Sequence, residues 1–123
     1  MIELRDINRV FKVGDELVHA LQDIQLAFEP GEYVSIMGPS GSGKSTLLNI
    51  LGLLDQPTSG TYLLAGIATT SMRETLEADV RRNTLGFDFQ SFHLMSRPTA
   101  AENIGLPLTL AGVPPKQRDS RVR

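Results

Sequence analysis

The sequence predicts an α/β fold in which an antiparallel β layer precedes a strand–loop–helix unit. Three observations carry that prediction. Ile24, Leu26 and Phe28 alternate with Gln25, Ala27 and Glu29, the period-two pattern of a half-buried strand. Glu32-Tyr33-Val34-Ser35-Ile36-Met37 is a short β-prone run entered through Pro30-Gly31 and left at Gly38, as expected of a strand covered on both faces. Leu47, Leu48, Ile50, Leu51 and Leu54 then recur at spacings of three and four, which predicts a helix over 44–54 with one buried face.

The remaining elements come in order along the chain. Met1 to Val10 alternates with one slip after Asp6, and Lys12 to Glu16 reads as a polar turn around Gly14-Asp15. After the helix, residues 55–60 read as a loop and Thr61 to Leu64 as a strand ending near Gly66. Ser71-x-x-Glu74 reads as a capping box that opens a helix with Glu77 and Arg81 paired one turn apart. Leu85 to Phe89 reads as a further strand, and Thr99-x-x-Glu102 as a second capping box. Pro114-Pro115 breaks the chain before a basic tail that reads as a solvated helix start.

The loop between the strand at 32–37 and the helix is Gly38-Pro39-Ser40-Gly41-Ser42-Gly43-Lys44-Ser45. It fits the phosphate-loop pattern G-x-x-x-x-G-K-[ST]. Glycines let backbone N–H groups turn inward around a di- or triphosphate, and the adjoining helix aims its positive end at the same charge. Lys44 reaches the β/γ-phosphates in this arrangement and the Ser45 hydroxyl ligates Mg²⁺. A flexible Ser/Gly linker is the competing explanation, but linkers are not framed by two buried elements.

Composition narrows the classes. The chain has 123 residues, 41% hydrophobic and 21% charged, which is ordinary for a globular protein of one domain or part of one. A net charge of −2 leaves no electrostatic footprint for nucleic acid. With no cysteine, disulfide scaffolds and thiolate metal sites are excluded. No apolar run is long enough to span a bilayer, so membrane association is expected only through a partner.

The order of these motifs resembles the ATP-binding subunits of ABC transporters, and most closely the subgroup serving lipoprotein release and macrolide export. The resemblance is carried by Met1-Ile2-Glu3-Leu4, Phe11, His19-Ala20-Leu21, Gly31 through Leu47, Leu54-Asp55-x-Pro57-Thr58-Ser59-Gly60, Gly86-Phe87-x-Phe89-Gln90 and Leu94 to Asn103. It implies a phosphate-loop NTPase core behind an N-terminal antiparallel β layer, divided into the β layer over 1–30, the core over 31–90 and the start of a helical subdomain over 91–123. It also implies ATP and Mg²⁺ as cofactors.

Roles transfer residue by residue. Gly38, Ser40, Gly41, Ser42, Gly43, Lys44, Ser45 and Thr46 would hold the phosphates, with Thr46 offering its hydroxyl and N–H to the α-phosphate. Phe11 would stack on adenine, for which a flat ring supplies dispersion with little base selectivity; a core phenylalanine on a strand is the alternative. Gln90 resembles the glutamine that reaches Mg²⁺ and the attacking water, making Lys44 and Gln90 the catalytic candidates and Ser45 and Gln90 the metal ligands; an ordinary exposed glutamine is the alternative.

The family's Leu-Ser-Gly-Gly-Gln signature, acidic Asp-Glu pair and switch histidine do not occur in these residues. Phosphoryl transfer rests on positioning and charge stabilisation, so the chain is expected to bind ATP as the N-terminal part of an ATPase without hydrolysing it alone. The resemblance further implies a membrane-spanning transporter partner, a place at the inner face of the cell membrane and a homodimer in the complete protein but not in this chain. Asp88 departs from the family, which places a branched apolar residue there; on a covered strand it would be an unpaired carboxylate costing several kcal/mol or staying protonated, and a more exposed strand and a carboxylate standing in for the lost Mg²⁺ ligand are the alternatives. A small phosphate-loop metabolite kinase and a non-enzymatic remnant are the alternative functions.

Overall fold

The computed structural model describes residues 1–89 and 94–122. The alternating N-terminal segments form two long strands, β1 (Ile2–Val13) and β2 (Glu16–Phe28), joined by the two-residue loop Gly14-Asp15 with Gly14 at φ +63°. The slip in the β1 pattern is a structural irregularity: Asp6 has φ +51° and the register with β2 shifts between Leu4 and Ile7. Such a bulge lets Leu4 and Ile7, an odd number of residues apart, both reach the core face. Pro30-Gly31 forms the expected turn, with Gly31 at φ +85° and Glu32 donating back to the Glu29 carbonyl.

The chain then crosses the sheet through the glycine-rich loop and α1 (Lys44–Leu51) and returns as β3 (Ser59–Leu64), which lies beside β1. β4 (Ile67–Ala68), too short to signal itself in the sequence, closes a tight hairpin whose two central residues, Ala65 and Gly66, both have positive φ. The result is a four-stranded antiparallel sheet in the order β2-β1-β3-β4. Leu4, Ile7, Leu21, Tyr62 and Leu64 from the sheet pack against Leu47, Ile50 and Leu53 to form the core. α2 (Glu74–Thr84) contributes the half-buried Val80 to its margin.

Several expectations are corrected. The run Glu32–Met37 is irregular rather than a strand, and of its side chains Ile36 packs on the core while Tyr33 is 99% and Met37 87% exposed. Leu85–Phe89 is likewise irregular. A strand buried on both faces requires neighbours to take its N–H and C=O groups, and the four strands described pair only among themselves. Asp88 is accordingly exposed, not buried.

The helix α1 stops at Leu51, and Leu53, at φ +54°, turns into the core while Leu48 and Leu54 remain exposed. α2 begins at Glu74 with Arg73 as its N-cap and no side-chain cap, so Ser71 opens no capping box. Glu77 and Arg81 do not meet: Glu77 is buried and accepts from Gln56 Nε2 at 2.9 Å, while Arg81 donates to the Leu53 carbonyl at 2.5 Å.

Met1–Phe87 form one compact unit and Asp88–Arg123 a second. In the second, α3 (Ala100–Leu110) opens on a complete Thr99/Glu102 capping box. The Asn103 amide staples the preceding segment by donating to the Met95, Pro98 and Thr99 carbonyls. α4 (Pro115–Val122) is the basic tail, yet Arg118 is half-buried and donates to the Val113 carbonyl and the Thr109 hydroxyl, so it is structural rather than merely solvated.

Candidate functional site

The loop Gly38–Ser45 is built on β2 as much as on its own helix. Gly43 has φ +86°, and a Cβ placed there would fall 2.5 Å from the Ala20 carbonyl oxygen and 3.1 Å from Leu21 Cδ2. Only glycine fits both the left-handed backbone and that approach. Gly41, at φ +79°, faces open space, so its requirement is conformational alone. Ser42 N–H donates to the Pro39 carbonyl at 3.3 Å, which draws the loop into a turn.

α1 starts immediately after Gly43 with no side-chain cap and no acidic residue in its first turn. α3 offers the contrast, since its own Thr99 and Glu102 close its N-terminus. The start of α1 therefore keeps amides and a positive helix end available to an outside anion. Lys44 adds a full charge. Its Nζ lies 2.5 Å from the Pro39 carbonyl and 3.3 Å from Ser42 Oγ, folded over the loop on two neutral oxygens. Among the described residues no carboxylate forms an ion pair with it. Ser45 is exposed and Thr46 half-buried on the first turn.

Phe11 stands on β1 opposite Val18 and is 36% exposed, which is not the environment of a core ring. Arg9, two residues earlier, lies opposite Leu21, the residue that backs Gly43. The hairpin that supports the loop thus also carries the ring. Along β2, Val18 is three residues from Leu21, about 10 Å of strand. Gln90 lies outside the described residues. No group of three or more His, Cys, Asp or Glu side chains among the described residues is placed to hold a metal ion. A divalent cation here would rest on phosphate oxygens and the Ser45 hydroxyl, a donor set of hard oxygens that suits Mg²⁺.

Residues 21–123 match the family model described as ABC transporter. The chain belongs to the ABC transporter family. It is 47% identical over 123 residues to the macrolide export ATP-binding/permease protein MacB of Salmonella typhimurium, covering all of this chain and 19% of that one. It is 46% identical over 121 residues to the ABC transporter ATP-binding protein YknY of Bacillus subtilis, covering 98% of this chain and 53% of that protein. The ATP-binding cassette MJ0796, solved as a dimer in a post-hydrolysis state bound to ADP and phosphate, superposes with a TM-score of 0.91 at 41% identity over 99% of this chain and 54% of that one. The chain spans about a fifth of the MacB proteins and about half of the ATP-binding relatives and solved cassettes it matches.

At that level of identity the likeness carries the fold class as well as the family: an ABC ATPase cassette, in part, with its antiparallel sheet and helices. The metabolite-kinase alternative finds no support beside a family match over most of the chain. No helix among the described residues is long and apolar enough to cross a membrane.

Gly38 to Thr46 are contiguous in the loop and first turn of α1, and Phe11 stands on the hairpin whose second strand backs Gly43. The pairing of two residues behind Phe11 gives no signal in the sequence. The Arg9 guanidinium carbon lies 4.4 Å from the Phe11 ring centroid, and Arg9 makes a two-pronged ion pair with Asp55 at 2.9 and 2.8 Å. Their separation of 46 positions leaves no local pattern to find them by.

Proposed function

We propose that the chain binds Mg·ATP, with Gly38–Thr46 on the phosphates and Phe11 under the adenine, as the phosphate-loop part of an ABC transporter ATPase. The observation that carries this is Lys44. An ammonium folded onto neutral oxygens beside an uncapped helix start is a concentrated positive site whose best ligand is a polyphosphate. The fit extends to the backbone, because Gly43 lets the loop lie against Ala20 without a side chain between them.

Lys44 supplies charge to the β/γ-phosphates and Ser45 a hydroxyl to Mg²⁺, while Thr46 serves the α-phosphate. Gln90 is assigned to Mg²⁺ and the attacking water by resemblance to the family. The relatives point to the setting: MacB is named for joined ATP-binding and permease functions, and MJ0796 was solved as a dimer. On that basis the complete protein pairs with a membrane-spanning partner at the inner face of the cell membrane and works as a homodimer.

Amide spectra recorded during titration with Mg·ATP test the reading. The largest shifts are expected at Gly41 to Thr46, with smaller ones around Phe11. Saturating Mg·ATP that leaves the 38–46 amides in place would contradict it.

A further inference from the structure

Phe11 is the end of a series of side-chain contacts that runs from Asp55 through Arg9. The Arg9 guanidinium covers the ring at 4.4 Å, and Asp55 holds that guanidinium by Nε to Oδ2 at 2.9 Å and Nη2 to Oδ1 at 2.8 Å. Both side chains of the pair are about a quarter exposed, at 24% and 27%. Partial burial weakens solvent screening, and the bidentate fork fixes the plane of the guanidinium. Asp55 is itself held, since its Oδ1 also accepts from Gln56 N–H at 2.9 Å.

The loop that carries Asp55 is sewn to β1 on both sides of Arg9. Thr58 N–H donates to the Asn8 carbonyl at 2.8 Å, and Val10 N–H donates to Thr58 Oγ1 at 3.0 Å. That loop comes directly after α1, the helix whose other end opens the phosphate loop. A continuous line therefore runs from Lys44 along α1 to Asp55, then through Arg9 to Phe11. The ring has one face on a cation and remains partly exposed.

We propose that Arg9, anchored by Asp55, is a positioning residue that holds Phe11 ready to receive the adenine on the ring face away from the guanidinium. The proposal rests on the reading that Phe11 stacks on the base. A ring already held in one orientation loses less rotamer freedom on binding, so the base finds its platform formed. The cation adds attraction to the ring and none to the phosphates.

Calorimetric titration of the chain with Mg·ATP and, separately, with inorganic tripolyphosphate and Mg²⁺ separates the roles. Arg9→Ala and Arg9→Gln are expected to weaken Mg·ATP about tenfold while leaving tripolyphosphate affinity unchanged, and Asp55→Asn to act in the same direction more weakly. In a Phe11→Ala background, removing Arg9 is expected to cost nothing further. Loss of both ligands alike, no loss of ATP affinity, or an undiminished effect of Arg9→Ala without the ring would each overturn the proposal. Should Phe11→Ala itself bind Mg·ATP as tightly as the parent chain, the base-stacking reading falls and takes the proposal with it. A Phe11→Ala loss without an Arg9 effect removes the proposal alone.

Discussion

The Gly43 backbone lies so close to the carbonyl of Ala20 that the two residues cannot both keep their positions if position 43 carries a side chain. The phosphate loop is thereby seated on β2, and the aromatic ring two strand positions beyond Arg9 shares the same support. Gly43→Ala combines a positive φ of +86° with a 2.5 Å clash against main chain. We expect a loss of about 3 kcal/mol in stability together with loss of nucleotide binding, measured by urea unfolding and titration. Unchanged unfolding would show that the loop is not seated on β2.

Tyr62 is buried with its hydroxyl donating to the Leu51 carbonyl at 2.8 Å, so β3 holds the end of α1. Tyr62→Phe removes that bond and leaves a carbonyl unpaired, for an expected loss of about 1 kcal/mol. Burial pushes the phenol up from 10.0 to about 12. A raised folded value favours the neutral form, so this contribution is complete below pH 10 and is lost as pH rises toward 12. Stability measured against pH should fall across that window in the parent chain, and the part of the fall due to Tyr62 should be missing in Tyr62→Phe.

Thr99 caps α3 by accepting the Glu102 backbone N–H at its Oγ1 at 3.3 Å, and it donates in return to Glu102 Oε2 from its backbone N–H at 2.7 Å and its hydroxyl at 2.9 Å. The backbone bond first, and the hydroxyl second, hold the Glu102 carboxyl below its ordinary 4.5. A lowered folded value means the capping contribution is present above pH 4.5 and fades as pH falls through the lower folded value. Carboxyl titration by NMR should find Glu102 below its ordinary value and Thr99→Ala moving it only part of the way back, because the variant keeps the backbone N–H and loses the hydroxyl. No movement would mean that the Thr99 hydroxyl does not contribute.

Asp88 is exposed, so Asp88→Val is expected to change stability by less than about 0.5 kcal/mol. A gain of about 2 kcal/mol, as relief of a buried unpaired carboxylate would give, would show that the segment 85–89 is covered. Thermal unfolding of the two chains decides.

How much of the fold the residue pattern made legible depends on how local each signal is. The alternation in β2 and the spacing of Leu47 and Ile50 are set by neighbours a few positions away, and both elements formed, β2 longer than its alternating stretch and α1 three residues shorter than expected. The glycine-rich loop was readable because its chemistry is contained in eight consecutive residues. The run Glu32–Met37 has strand composition but no adjacent strand among the described residues, and composition alone does not form a ladder. Leu53 reached the core through a left-handed turn that helical periodicity does not encode. The clasp of Arg9 on Asp55 joins two distant segments and became visible only once β1 lay beside the loop after α1. Gln90 lies outside the described residues, so its place rests on family resemblance.

The central claim is that Lys44 and the loop around it form a nucleotide site, and the most direct measurement is the affinity of a fluorescent ATP analogue for the parent chain and for Lys44→Ala. Lys44 is the loop's one side-chain cation, carries no ion pair among the described residues and bonds only exposed oxygens of its own loop, so its removal should leave the core in place. The account predicts saturable, Mg²⁺-dependent binding to the parent chain and its loss in Lys44→Ala at unchanged thermal stability. Equal affinity of the two chains would contradict it.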